Sequence, residues 1–328
     1  MIDVNKSKEP KQAVIIGFLS KTQDRFAEYQ QPLSTRERLE IVTKIDGFSG
    51  AEIVYPYETG DASETRQWLK ELNLEIAAIN VNIKKEKEWV AGALSRPRKQ
   101  IRDRAVEMIR KSKDYAKQIG APLVTCCPLS DGYDLLFQVD YKNAWNFMVE
   151  AFGEAADYLP EIPLFIEPKY SETRVHCQVD STSKALLLLK EIDNKNTGVT
   201  LDIGHSLQSQ ENPAQMLATI YESGFDAYIH TNDNDTKFDW DLIGASRHFL
   251  AYVELMFWAR EYKYNKYFTT DASPRIFDMI EFFNWHSATT TGAWNLAGNL
   301  SAAEIKKMMA EEDFDGLMKM VNKEIYRL

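Results

Sequence analysis

Short apolar runs alternate along this chain with longer stretches in which apolar positions recur at helical spacing. The runs at 14–19, 51–55, 75–82, 122–127, 163–167, 199–203, 227–231 and 267–270 read as strands. Their near-continuous apolar character is that of strands covered on both faces, as in a parallel sheet. Between them, 34–47, 61–72, 96–119, 143–159, 181–192, 212–223 and 247–262 read as helices. The punctuation agrees. Ser34-Thr35-Arg36-Glu37 has the form of a capping box, and the long charged helix at 96–119 stops at Gly120. Further helices follow from Arg275 onward.

Eight strand–helix repeats with helical crossovers predict parallel neighbours and an α/β fold, a (β/α)8 TIM barrel with extra C-terminal helices. An open doubly wound sheet is the runner-up. Against it, Gly17 stands alone after the first strand, and the chain has no GxGxxG or GxxxxGK[ST] phosphate loop. No low-complexity linker divides the chain. The reading is a barrel domain over 1–300 and a helical extension over 301–328 that packs on the barrel or on a neighbouring subunit. The Met and Leu stripe of that extension reads as packing surface rather than a cofactor box.

Composition narrows the function classes. The 328 residues carry a formal net charge of -10, with an ordinary globular mix of 44% hydrophobic and 27% charged residues. An acidic chain argues against nucleic acid or an anionic membrane as the main partner, since phosphate binding needs clustered Lys and Arg. Three cysteines, Cys126, Cys127 and Cys177, make no disulfide framework and fit a reducing cytoplasm. The adjacent pair reads as small buried residues rather than a thiol site. The N-terminal stretch lacks an apolar signal core, and no apolar run is long enough to span a bilayer.

The chemistry gathers at strand ends. Phe165-Ile166-Glu167, Leu201-Asp202, Tyr228-Ile229-His230 and Phe268-Thr269-Thr270-Asp271 each carry an apolar run to a ligand-type residue. In a closed barrel those tips converge on the catalytic face. Three carboxylates and one imidazole make an oxygen-rich site suited to Mn2+ or Mg2+, with Co2+ acceptable to the imidazole. His205, three positions after Asp202, joins Asp239 and Asp241 as a set for a second, more mobile cation. Lys169, two residues past Glu167, shares its side of an extended chain and can reach a substrate oxygen. Taken singly, Asp239 and Asp241 read as a solvated turn and His205 as a helix cap; it is the joint pattern that implies a site. His248 and His286 have no such context and read as structural. His176, with Arg174 in the loop after strand five, is a candidate substrate contact.

Glu167-Pro168-Lys169, Asp202-x-Gly204-His205, His230-x-Asn232-Asp233, Asp239-x-Asp241 and Thr270-Asp271 resemble the xylose isomerase-like TIM barrels, and among them the two-metal sugar isomerases of the L-rhamnose isomerase and D-xylose isomerase type. The likeness runs from Val14 to about Asp271 and is densest from Asp131 to Asp241. It implies a metal-dependent aldose–ketose isomerase of a free, unphosphorylated monosaccharide, assembled as a homo-oligomer. It also implies two divalent ions per subunit. Glu167, Asp202, His230 and Asp271 would hold a structural ion, and His205, Asp239 and Asp241 a catalytic one. Lys169 would bind the carbonyl-side oxygen. The reaction would be a 1,2-hydride shift or proton transfer through an enediol. Asp131, Tyr133, Trp240 and Arg174 are the remaining expected substrate contacts, with Phe18 and Tyr57 as further candidates for an apolar wall.

Related classes share the barrel. Ketose 3-epimerases and related sugar or inositol lyases are the alternative on the same barrel; the epimerases use a pair of Glu residues, and Asp271 is shorter than the Glu their last strand supplies. An endonuclease-like branch uses more histidines than the five present here. A non-catalytic sugar-binding barrel would leave these ligands without a task. In some relatives a His near strand two or three assists ring opening, and no His precedes His176 in this chain.

Overall fold

The computed structural model describes residues 9–328. Eight parallel strands close a barrel: β1 (Gln12–Ile15), β2 (Phe48–Tyr55), β3 (Glu75–Val81), β4 (Val124–Cys126), β5 (Leu164–Ile166), β6 (Thr197–Asp202), β7 (Asp226–Thr231) and β8 (Phe268–Thr270). Neighbours in space are neighbours in sequence, and β8 pairs with β1 to complete the ring. Among the described residues eleven α-helices accompany them: α1 (Thr35–Val42), α2 (Ala62–Glu71), α3 (Lys99–Ile119), α4 (Tyr141–Asp157), α5 (Thr182–Ile192), α6 (Ile203–Gln208), α7 (Pro213–Glu222), α8 (Phe249–Glu261), α9 (Met279–Asn299), α10 (Ala302–Ala310) and α11 (Phe314–Val321).

Local chemistry places these elements. Ser34 caps α1 by accepting from the Glu37 N–H, while the Glu37 carboxylate accepts from the Ser34 N–H, completing the capping box. Asp61, Ser181 and Asn212 cap α2, α5 and α7 in the same way, and left-handed Gly120 ends α3. Strand residues facing outward, such as Val14, Leu164, Ile166 and Ile229, join the main core beneath the helices. Alternating residues Ala13, Phe165 and Tyr228 belong to a separate cluster with Leu123 and Tyr267. Gly198 is required by that packing. A Cβ there would lie 2.6 Å from the Phe165 ring and 2.7 Å from the Asp226 carbonyl oxygen.

Two departures from the expected elements bear on function. The first strand stops at Ile15, and Ile16–Leu19 forms a 3-10 turn that brings Gly17 against the Glu58 carboxylate. The short helix α6 is absent from the sequence reading. It is buried along its whole length, so it lacks the amphipathic period that reveals a surface helix. The final helices α10 and α11 pack inward through Ile305, Leu317 and Met320, and leave Phe314 and Met318 exposed. Among the described residues, no helix is long and apolar enough to cross a membrane.

Candidate active site

The ligand-type residues meet at the C-terminal ends of β5 to β8. Glu167 follows β5, with its N–H held by the Cys126 carbonyl (2.9 Å). Asp202 ends β6, and the β6–β7 register sets it beside His230. Asp271 follows β8, its N–H donating to the Thr231 carbonyl (3.1 Å). Glu167, Asp202, His230 and Asp271 each offer one ligand atom, and these four atoms lie within 4.8 Å of one another.

These four groups could hold a metal ion. His230 Nε2 donates to Glu52 Oε2 (3.1 Å), which leaves Nδ1 facing inward, 3.4 Å from both Glu167 Oε1 and Asp271 Oδ2. That buried Nδ1 has no hydrogen-bond partner. Burial pushes the Asp202 carboxyl up to about 7; His205 opposes that rise, and the Asp271 and Glu167 carboxylates add to it. Burial also raises Glu167, but the neighbouring His230 and His205 rings prevail and bring it down to about 2. Three carboxylates and an unpartnered imidazole nitrogen, all converging, fit a hard divalent ion such as Mn2+ or Mg2+. Surrounding groups orient the ligands. Asn232 donates to both Asp202 oxygens (3.2 and 2.9 Å), and the His205 N–H donates to Asp202 Oδ1 (2.8 Å).

The residues expected to hold a second cation assemble only in part. His205, carried by α6, donates from Nδ1 to the Pro168 carbonyl (3.0 Å) and presents Nε2 to Asp239 Oδ2 at 3.2 Å. The same Asp239 oxygen takes the Lys169 ammonium at 2.6 Å, so a cationic side chain already stands there. Asp239 Oδ1 is buried without a partner. Burial opposes charge on His205, but Asp202 and Asp239 lift its pKa to about 9. Lys169 is likewise driven upward by Asp239 against burial. Asp241 has left-handed backbone (φ 48°) and joins Asp271 in the wall of a cavity of about 380 Å3 at the barrel mouth. Burial and the Asp239 and Asp271 carboxylates push its pKa well up.

The expected substrate contacts fare unevenly. Asp131 is fully buried: its Oδ1 accepts from the Ala93 N–H, the Ser95 N–H and the Ser95 hydroxyl (2.9, 2.7 and 2.6 Å), pinning the loop before α3, while Oδ2 has no hydrogen-bond partner. Tyr133 lies in a separate cleft of about 410 Å3, its ring against His176 (centroids 4.9 Å apart), on a small antiparallel pair formed by Gly132–Tyr133 and His176–Cys177. Arg174 is engaged with Asp134 at 2.5 Å outside the metal cluster. Trp240 is half-exposed, and the Arg275 guanidinium lies 5.1 Å over its ring. Phe18 and Arg275 line the cavity, as do Asn80, Asn82 and Lys84; Tyr57 does not and instead carries the Lys85 ammonium over its ring.

His286 and His248 hold structural positions: His286 accepts from the Gly244 N–H and contacts Thr231, and His248 pairs with Asp233. Cys126 and Cys127 are buried, and burial raises both thiols. The sequence reading missed Glu52, a fully buried carboxylate on β2 beneath the ligand cluster. Its signal was the single charge within Ala51-Glu52-Ile53-Val54.

Comparison with known proteins agrees with this architecture. An uncharacterised protein of Methanocaldococcus jannaschii, MJ1311, is 28% identical over 142 residues, which are 41% of this chain and 45% of that relative. The chain thus spans under half the length of that curated relative. The solved structure of an L-ribulose 3-epimerase superposes with a TM-score of 0.69 at 13% identity, covering 88% of this chain and 95% of that one. A D-tagatose 3-epimerase-like protein gives 0.66 at 17%, covering 88% and 98%. At those identities the likeness is one of fold. A family model described as xylose isomerase-like TIM barrel matches residues 39–289. With that match spanning most of the barrel, from α1 into α9, the chain belongs to the xylose isomerase-like TIM barrel family.

Proposed function

We propose that this protein is a divalent-metal-dependent enzyme that interconverts the aldose and ketose forms of a free monosaccharide. The observation that carries the proposal is the Lys169 ammonium beside Asp239 and His205, adjoining the Glu167, Asp202, His230 and Asp271 cluster. An ion in that cluster supplies Lewis-acid polarisation of neighbouring sugar oxygens. Lys169 adds a fixed positive charge where negative charge develops on the carbonyl-side oxygen. Buried Asp239 holds that ammonium's position, and Asp239 and His205 provide groups that can exchange a proton with a substrate hydroxyl. The flanking cavity, lined by Phe18, Asn80 and Asn82 among others, offers an apolar ring and amide groups to a small polyol.

One observation favours a second reading, a ketose 3-epimerase. Glu167 and Asp271 both approach His230 Nδ1, so two carboxylates stand on one ion site, the arrangement that removal and return of a proton at one carbon needs. Solved structures of the same fold carry ketose 3-epimerase names. The shorter reach of Asp271 and the presence of Lys169 weigh toward isomerisation.

A proton NMR time course in D2O decides between them. The Mn2+- or Mg2+-loaded protein is offered a panel of free aldoses and ketoses beside a chelated control. Metal-dependent formation of the matching ketose supports isomerisation. Deuterium at C1 or C2 then marks proton transfer, and its absence a hydride shift. Exchange at C3 with a C3 epimer as product supports the epimerase. A panel with no conversion overturns both.

A further inference from the structure

Beneath the ligand cluster, the barrel interior holds a hydrogen-bonded group centred on Glu52 of β2. Its Oε1 accepts from Asn80 Nδ2 of β3 (3.0 Å). Its Oε2 accepts from the Tyr228 hydroxyl of β7 (2.6 Å) and from His230 Nε2 (3.1 Å). Tyr228 also contacts the Thr269 hydroxyl of β8. Glu52, Tyr228 and His230 are fully buried, and Asn80 nearly so. Side chains from two other strands, β3 and β7, therefore meet on this one carboxylate of β2, which lies outside the four converging ligands. Its two oxygens meet three donors, so the protein satisfies it completely, at the cost of removing a charge from water.

An imidazole ring set between two groups of acceptors has one free choice: which nitrogen faces which. The Glu52 carboxylate removes that choice by taking the Nε2 hydrogen. The nitrogen left over, Nδ1, is the one aimed between Glu167 and Asp271 and the one with no partner. We infer that Glu52 is a positioning residue: through His230 Nε2 it fixes the ring so that Nδ1 is presented to a divalent ion bound by Glu167, Asp202 and Asp271. The inference rests on the metal-site half of the function proposed above and is independent of which sugar reaction follows. Orienting carboxylates of this kind typically contribute 10–100-fold in metal affinity, roughly, when removed.

The test uses the full chain stripped of metal. Mn2+ affinity is measured by titration calorimetry, and the environment of bound Mn2+ by electron paramagnetic resonance. Glu52→Ala should weaken Mn2+ binding by about 10–100-fold and alter the spectrum. Glu52→Gln keeps one acceptor oxygen for His230 and should fall between Glu52→Ala and the parent. Tyr228→Phe removes one donor to Glu52 but leaves the His230 bond; it should lower the apo melting temperature while keeping affinity within about threefold. The inference is overturned if Glu52→Ala binds Mn2+ as the parent does, or if Tyr228→Phe loses as much affinity as Glu52→Ala. A parent protein that binds no Mn2+ would instead bring down the metal-site reading itself, and the inference with it.

Discussion

Replacing Lys169 by Met tests the heart of the proposed site. The substitution keeps the apolar stem and removes only the ammonium. In the native structure that ammonium is 2.6 Å from Asp239 Oδ2, with the two side chains 11% and 10% exposed. Breaking a buried pair by removing one partner typically costs about 3–5 kcal/mol, since the other charge stays buried and uncompensated. Here His205 Nε2 remains 3.2 Å from the same oxygen, so the low end, about 3 kcal/mol, is expected for the metal-free protein. An unfolding entropy of about 2.1 cal/mol/K per residue amounts to about 0.7 kcal/mol/K over the chain's 328 residues. The apo melting temperature should therefore fall by roughly 4 °C. A divalent cation can take the missing ammonium's place beside Asp239. Mn2+ should thus raise the melting temperature more in Lys169→Met than in the parent, and bound Mn2+ per chain, measured by elemental analysis, should not decrease. Turnover on the sugar identified by NMR should drop by about 10²–10³, as when one donor to a developing oxyanion is removed. A variant that melts with the parent in chelator, takes up Mn2+ identically and turns over within tenfold would refute the role given to Lys169.

Chelation should lower the melting temperature of the metal-loaded parent by roughly 4 °C if the ion is present at about a hundred times its Kd, worth about 2.7 kcal/mol. Asp202→Asn should abolish most of that difference in differential scanning calorimetry. His286 is held neutral by burial, with its pKa pushed down to about 3 from an ordinary 6.5. The unfolded chain then binds the extra proton between those values, so the stability this residue contributes is full above pH 6.5 and is lost as pH falls toward 3. Denaturant titrations of His286→Gln should show a shallower acid limb, by up to about 1.4 kcal/mol per pH unit in that window. Asp131→Asn loses acceptor capacity toward the loop before α3 and should cost about 1–3 kcal/mol in urea unfolding while leaving kcat within twofold, roughly; a selective loss of kcat would return Asp131 to the substrate pocket.

Strand tips were legible because the barrel writes them plainly. A strand covered on both faces is mostly apolar until it reaches the catalytic rim, so Glu167, Asp202, His230 and Asp271 stand out as the first ionisable side chains after Ile166, Leu201, Ile229 and the Phe268–Thr270 run. Residues whose function depends on a partner from another strand were not legible. Glu52 reads as one misplaced charge on β2 until the closed sheet brings His230 and Tyr228 of β7 to it across the barrel. Asp131, followed by Gly132, has the look of an exposed turn, yet it is fully buried and its Oδ1 accepts from the backbone N–H groups of Ala93 and Ser95. Local composition carries no trace of that bond.

The same distinction explains why the first set of ligand-type residues assembles fully and the second only in part. The first draws each ligand from the end of a different barrel strand, and strand register sets those positions to within the 4.8 Å that the four atoms share. The second depends on a short buried helix for His205 and on the loop between β7 and α8 for Asp239 and Asp241, elements whose geometry the barrel does not dictate. Within that loop Asp241 adopts left-handed backbone and turns toward Asp271, while Asp239 is drawn to Lys169 and His205. On the function proposed above, the half set by strand register would fix where a sugar's oxygens are polarised. The half set by the loop would place the Lys169 ammonium, paired with Asp239, where charge moves between neighbouring oxygens.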